Sequence, residues 1–417
     1  MAHGGTESGS ILKQPIAVWA IAFAAVVSFM GIGLVDPILP AIASSLKATP
    51  TQTELLFTTY LLVTGAAMFF TSWLSSRIGA KNTLLLGLTV IVIFAALAGA
   101  SGSVGGIIGF RAGWGLGNAL FISTALASII GAASGGVASA IVLYEAALGV
   151  GLAIGPLVGG LLGGISWRGP FFGTAVLMAI GFVVIFTVLR VPKDAPKPVP
   201  TSLAAPFRGL AKPGLAVMAA TAFFYNMGFF VLLAWTPFAI VPLGVSDART
   251  LGYIFFGWGV ALALTSVFVA PLLTARIRRT SVLLIIIPAL AATELLAAIL
   301  HTSLVAVIVL VIVGGLFLGI LNTVLTELSM EATDLPRPVA SSAYSGVRFL
   351  GGAVAPPLAS WLATLFGTTA APFYFGVVVL VIATLIVTFG RKALRRADGV
   401  EENVLEVAES IAIGDAD

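Results

Sequence analysis

Apolar residues fall into twelve long runs along the chain, each bounded by a short stretch of charged residues, glycine or proline. By position the runs are 16–40, 53–75, 83–101, 104–130, 136–164 and 169–190, then 213–242, 248–273, 281–300, 303–328, 339–366 and 370–390. Each is close to or above the ~20 residues a helix needs to cross a bilayer. Runs of this length without strict alternation predict helices, which satisfy their own backbone groups in lipid. The expected fold class is an all-α membrane protein of twelve transmembrane helices.

The polar stretches order these runs. Val191–Lys212, rich in proline and charge, divides them six and six and reads as a linker or short surface helix. The predicted organisation is a tail at 1–15, a bundle at 16–190, a linker at 191–212, a second bundle at 213–391 and an acidic tail at 392–417. Sixteen of the 21 Lys and Arg fall on the side that holds both ends. Lys47, Arg168 and Arg249 fall on the other side, while Arg111 and Arg348 lie within runs. Basic loops stay on the cytoplasmic side, so both termini are expected there. From Ala397 onward the tail reads as solvated, with an amphipathic helix near Val400–Ile413 as the alternative.

The two sets of runs also repeat. Gly151, Ala153, Pro156 and Leu162 recur 200 positions later as Gly351, Ala353, Pro356 and Leu362. Arg77, Ile78, Leu84 and Leu85 recur at an offset of 199, and Met30, Gly31 and Pro40 at 197. Six runs per repeat is an even number, so the two bundles share one orientation about an axis along the membrane normal. That arrangement puts a binding site near the midplane, between bundles that rock.

Composition removes the other classes. The chain is 59% hydrophobic and 9% charged, with a mean hydropathy of +1.12; soluble domains carry about 25% charged residues. The net charge of +4 comes from short loops, which gives no footprint for nucleic acid. Without cysteine there is no thiolate chemistry, and His3 and His301 make no metal cluster. No G-x-x-x-x-G-K-[ST] segment cradles a nucleotide and no nucleophile–base pattern appears, so the chain does not read as an enzyme. No cofactor is expected; an ion gradient is the remaining energy source. The N-terminus lacks the pattern of a signal peptide.

Against this apolar background the buried charges stand out. Arg111 lies in the fourth run beside Gly113, Gly115 and Gly117. A charge at such depth costs at least ~2.5–3.5 kcal/mol and calls for a partner or a wet cavity. Asp36 in the first run lies at a similar predicted depth, so the two can meet. Burial and a nearby guanidinium pull a carboxyl toward opposite protonation states. The pair therefore reads either as proton-coupling or as a static tie between runs 1 and 4. Glu145 is a second candidate, for a proton or a cationic substrate, with Arg348 as a possible partner at similar depth. Gly151, Gly155 and Gly159 recur every four residues and form one bare stripe, with Gly163 and Gly164 extending the small-residue surface toward the outer loop and Pro156 expected to bend the helix. Trp114, Asn118, Tyr225, Asn226 and Asn322, with Arg348, are the candidate substrate contacts, because aromatic and amide groups suit a pocket for flat amphipathic molecules.

These residues carry a resemblance. Twelve runs about a basic linker resemble the major facilitator superfamily over roughly residues 15–392. The loop S-W-L-S-S-R-I-G-A-K-N at 72–82 is similar to the superfamily's G-x-x-x-D-R-x-G-R-R/K loop at Arg77, Gly79 and Lys81. Ser76 stands where the acid is usual, so the charge latch of that loop is not expected here. Arg111 with Gly115 and Gly117 fits R-x-x-x-G-x-G. The segment Gly151-x-x-x-Gly155-Pro156-x-x-Gly159-Gly160 resembles the antiporter motif of drug:proton exporters, with Val142 where its longer form has a glycine. Asp36-Pro-Ile-Leu-Pro40 fits the D-x-x-x-P pattern of the same branch.

The resemblance implies a monomeric transporter in the plasma membrane of a prokaryote. It would export small amphipathic or drug-like molecules in exchange for protons, with lipid and a small-molecule substrate as its partners. It also implies that Glu294, in a usually peripheral span, is a scaffold residue. The alternatives are a proton symporter for a metabolite, an exporter of one endogenous metabolite or organic anion, and a receptor or scaffold without transport.

Overall fold

The computed structural model describes residues 14–134, 136–190, 200–395 and 397–398; the side chains at 36, 40, 50, 51 and 138 also lie outside the described set. The possible helix near 400–413 and linker positions 191–199 fall beyond these residues, while the rest of the linker carries a short helix at Ala205–Gly209. Among the described residues, twelve helices are long and apolar enough to cross a membrane. The first six spans are Ile16–Gly33, Gln52–Ile78, Ala80–Ala100, Val104–Ala132, Ser139–Gly163 and Gly169–Val188. Spans 7 to 12 are Pro213–Leu243, Ala248–Thr274, Arg279–Ile299, Leu304–Glu331, Arg337–Phe366 and Ala371–Leu394. An even number of crossings returns the chain to one side, called here the terminal face.

Helix starts on the opposite face are set by matching caps in the two halves. Thr49 forms a capping box with Gln52 at the start of span 2, and Asp247, 198 positions later, accepts from Thr250 N at 2.8 Å before span 8. That hydrogen bond holds the Asp247 carboxyl below its ordinary range. Ser103 accepts from Gly106 N before span 4, and Ser303, 200 positions later, accepts from Ala306 N before span 10.

Packing repeats in the same way. Span 1 lies on spans 5 and 6, span 4 on spans 2 and 3, and span 3 on span 6; spans 7 to 12 repeat each of these pairings. The bundles meet along two seams, span 2 against span 11 and span 5 against span 8. In lipid these contacts rest on close packing of small residues rather than on expulsion of water. A methyl group added at Gly151 would come within 2.5 Å of the Val26 carbonyl oxygen, and one at Gly351 within 2.2 Å of that of Phe223. Large apolar side chains such as Phe389, Phe366 and Val176 point outward, as lipid-facing residues do.

Three spans depart from simple rods. The first run, expected to continue to residue 40, breaks at Gly33; Asp36–Ile38 forms a 3-10 turn and Leu39–Leu46 a separate short helix. Pro37 explains the break, because it has no N–H to bond the Gly33 carbonyl four residues back and its ring clashes with that carbonyl. Span 7 contains a π-helical turn at Val231–Trp235 ahead of Pro237, and span 8 one at Thr265–Val269 ahead of Pro271. Asp36 therefore begins a turn of irregular backbone, and no depth along a continuous helix applies to it.

Candidate functional site

A buried polar cluster lies where spans 5, 7, 10 and 11 converge. Glu145 of span 5 is fully buried. Its Oε1 accepts from Thr326 Oγ1 at 2.7 Å and lies 3.7 Å from Arg348 Nη1. Arg348 Nη2 donates to Asn322 Oδ1 at 2.8 Å, and the same oxygen accepts from the Tyr225 hydroxyl at 2.7 Å. Asn226 Nδ2 donates to the Arg348 carbonyl at 2.7 Å, so two neighbouring residues of span 7 fix both ends of that arginine's environment. Glu145 belongs to the first bundle, whereas Thr326 and Arg348 belong to the second. Glu145 Oε2 and Asn322 Nδ2 are buried without a hydrogen-bond partner among the described residues.

Arg111 occupies a separate cluster inside the first bundle. Its Nη1 donates to the Gly31 carbonyl at 3.2 Å and its Nε to that of Leu56 at 3.3 Å. The guanidinium lies 4.2 Å from the centre of the Tyr60 ring and 4.9 Å from that of Trp114. Both rings offer their negative faces to the cation. The Asp36 side chain, predicted to meet Arg111, lies outside the described residues. Trp114 is wholly buried and packs edge-on to Tyr60 and Phe171. Asn118 Oδ1 accepts a short hydrogen bond from Ser28, tying span 4 to span 1. Trp114 and Asn118 are thus placed away from Tyr225, Asn226, Asn322 and Arg348, which gather around Glu145.

The glycines of span 5 serve two neighbours. Gly151, Gly155 and Gly159 press on the backbone of span 1 and its extension; a methyl at Gly159 would lie 2.3 Å from the Leu34 carbonyl oxygen. Gly160 faces the other way, 2.6 Å by the same measure from the Ala248 carbonyl of span 8. Gly259 of span 8 answers with a clearance of 2.2 Å to Ala153 Cα. Pro156 stands between the two faces, against Gly33 and Gly252. Gly115 and Gly117 similarly let span 4 approach Tyr60 and Gly87.

At the terminal face a hydroxyl cluster joins the bundles. Thr71 Oγ1 lies 2.9 Å from Ser123 Oγ and 2.8 Å from Ser342 Oγ, while Ser341 donates to the Ser123 carbonyl. A cavity of about 130 Å³ opens beside them. The nearby loop makes no charge latch among the described residues. Arg77 folds back over the Trp73 ring, Lys81 donates to the Phe186 carbonyl, and Ser76 accepts from Thr201 N of the linker at 2.9 Å. Gly79 at φ +82° makes the turn between spans 2 and 3.

Similarity to known proteins follows this geometry. A family model described as Major Facilitator Superfamily matches residues 21–262 and 238–409. The chain belongs to the major facilitator superfamily. The "Multidrug efflux protein YfmO" of Bacillus subtilis (strain 168) is 50% identical over 389 residues, which is 93% of this chain and 96% of that protein. The human organic anion transporter MFSD10 (TETRAN) superposes with a TM-score of 0.73 at 15% identity, over 89% of this chain and 99% of that one. That likeness shows the shared fold.

For a superfamily member of this kind, several site features carry no legible motif. Thr326 was not singled out by its sequence context, and neither were Thr71, Ser123 and Ser342. Hydroxyls are common enough in membrane helices that only the fold reveals which of them meet. The clustering of Ser341, Ser342 and Ser345 in span 11 is the one available signal. Glu327, at the terminal end of span 10, pairs there with Arg279 at 2.8 Å, and Glu331 pairs with the same arginine at 3.0 Å. Glu294, for which sequence suggests no partner, is fully buried against Gly376 of span 12, with neither oxygen partnered among the described residues.

Proposed function

We propose that this superfamily member exports small amphipathic or drug-like molecules across the plasma membrane of a prokaryote, in exchange for protons. The observation that carries the reading is the placement of Glu145: its partners, Thr326 and Arg348, come from the opposite bundle. Rocking of the bundles would remove both partners together and leave a carboxylate facing the opened cavity, where it takes up a proton or a cation. Closing would restore Arg348 and release the proton. Alternating access thereby acquires a charge-dependent step. The efflux relative at 50% identity supports the direction of transport and the class of cargo. Asp36 and Arg111 enter the same reading on sequence grounds, as a second proton-linked pair. Tyr225, Asn226 and Asn322 would contact substrate beside Arg348. The monomer is the working unit, both termini are cytoplasmic, and the proton gradient is the energy source, without a cofactor.

The test is transport by the purified chain in proteoliposomes with a pH gradient imposed in either direction, using cationic, neutral and anionic compounds. Movement of dyes against the proton flow is the expected result, lost in Glu145→Gln. Accumulation of a metabolite with the protons would replace this reading by symport, and indifference to the gradient would remove proton coupling.

A further inference from the structure

Among the buried acids, Glu54 has no part in the central cluster. It lies near the start of span 2, on the face opposite the termini, and is only 5% exposed. Among the described residues, Ser360 is the one side chain that reaches its carboxyl group; Oε2 has no hydrogen-bond partner there, and Glu54 forms no ion pair. The carboxylate lines a groove of about 260 Å³ at the seam of spans 2 and 11, with Thr58, Ser360, Trp361 and Thr364. Its other flank lies against a second, narrower hollow lined by Trp235 and Phe238, whose rings stack at 5.8 Å. A buried carboxylate oxygen without a donor is costly unless a cation or donor reaches it.

The groove has the features of a site rather than a packing flaw. It pairs one negative group with an aromatic ring, and Trp361 is 57% exposed, so that ring is open to an incoming molecule. Glu54 is close to the start of span 2 and Thr364 close to the end of span 11, so the groove lies at headgroup depth. Tryptophan concentrates at this level, and amphipathic cations partition to it. A quaternary ammonium meets an aromatic face favourably and a carboxylate by charge.

We propose that the seam of spans 2 and 11 is a binding site for a monovalent organic cation carrying one aromatic or apolar arm, with the charge at Glu54 and the arm on Trp361. The site is distinct from the Glu145 cluster and does not depend on the direction or the proton coupling of transport. A free amphipathic cation and the ammonium group of an amine lipid share this chemistry.

The experiment uses the full chain in nanodiscs of phosphatidylglycerol and the photoreactive probe 4-azidobenzyl-trimethylammonium, with labelled residues located by mass spectrometry. Saturable labelling within residues 54–58 and 357–364 is expected. Glu54→Gln, which keeps the shape of the side chain, should lower it on the order of tenfold, and Trp361→Ala by a smaller factor. Glu145→Gln should leave it unchanged. The neutral analogue, with carbon in place of the ammonium nitrogen, should not label the groove saturably. Competition by added phosphatidylethanolamine would identify a lipid ammonium as an occupant, and its absence a free cation; both uphold the site. Labelling that is unchanged in Glu54→Gln at an unaltered melting temperature, or equal labelling by the neutral analogue, would overturn it. Loss of transport with labelling intact would count against the transport reading alone.

Discussion

Arg111 and Arg348 are both buried arginines in membrane spans, yet they are held by different means. The described contacts of Arg111 are backbone carbonyls and aromatic faces of spans 1, 2 and 4, all within one bundle. Arg348 is held by side chains, and Glu145 reaches it from the other bundle. Contacts of the first kind travel with a rigid body. Contacts of the second kind exist only while two bodies are together. Burial alone therefore says little about role; what matters is whether a charge and its partner move as one.

The largest effect is expected from removing one member of the shared pair. Arg348→Leu strands the buried Glu145 and should lower stability by about 3–5 kcal/mol. The double variant Glu145→Gln/Arg348→Leu should recover part of that loss in thermal unfolding. A single variant as stable as the double would mean that the two charges are not coupled. Next, Gly259→Val overfills the seam of spans 5 and 8, whereas Gly115→Val overfills a contact within the first bundle. Each should cost about 1–3 kcal/mol, but only Gly259→Val should shift the protein toward the form open on the face opposite the termini. Labelling of cysteines introduced into this cysteine-free chain would separate the two.

A smaller effect follows from Arg111→Lys, which keeps the charge but loses the planar contacts with Tyr60 and Trp114. It should lower stability by about 0.5–2 kcal/mol and, because the positive charge of the proposed proton-linked pair is kept, displace the pH profile of transport less than Arg348→Leu does; an equal displacement would mean that the geometry of the guanidinium, and not its charge alone, sets the role of Arg111. The smallest change is Ser342→Ala at the terminal-face hydroxyl cluster, about 0.5–1.5 kcal/mol. Because it weakens only the closed form of that face, it should appear as faster labelling at residue 72 changed to cysteine rather than as a lower melting temperature.

Much of this was legible in the order of residues, for a physical reason. Lipid demands long apolar helices, so the limits of the spans are written directly in hydropathy, and Gly151 with Gly351 announces the repeat. The match of Glu145 with Arg348 could be suspected from depth. The contact itself needed the fold, because a one-dimensional pattern does not specify which spans form the seams. The end of span 1 at Gly33 was hidden because hydropathy does not register a backbone break, although Pro37 was there to suggest one. Glu54 was overlooked because an acid near a span's end resembles an ordinary interfacial residue; Ser360 and Trp361, some 300 positions away, are what enclose it.

The π-helical turn of span 8 has no counterpart in span 2, which is α-helical throughout. Gly115 meets Tyr60, and its counterpart Gly315 meets Trp258 in the same manner. Counting onward, Arg77 is 17 positions beyond Tyr60, while Arg276 is 18 beyond Trp258. That interval holds both the π turn at Thr265–Val269 and the start of the turn that follows Thr274. A π turn takes up one extra residue as a wider coil instead of rotating every later side chain. The two halves can thus differ inside the membrane without losing the register of their neighbours.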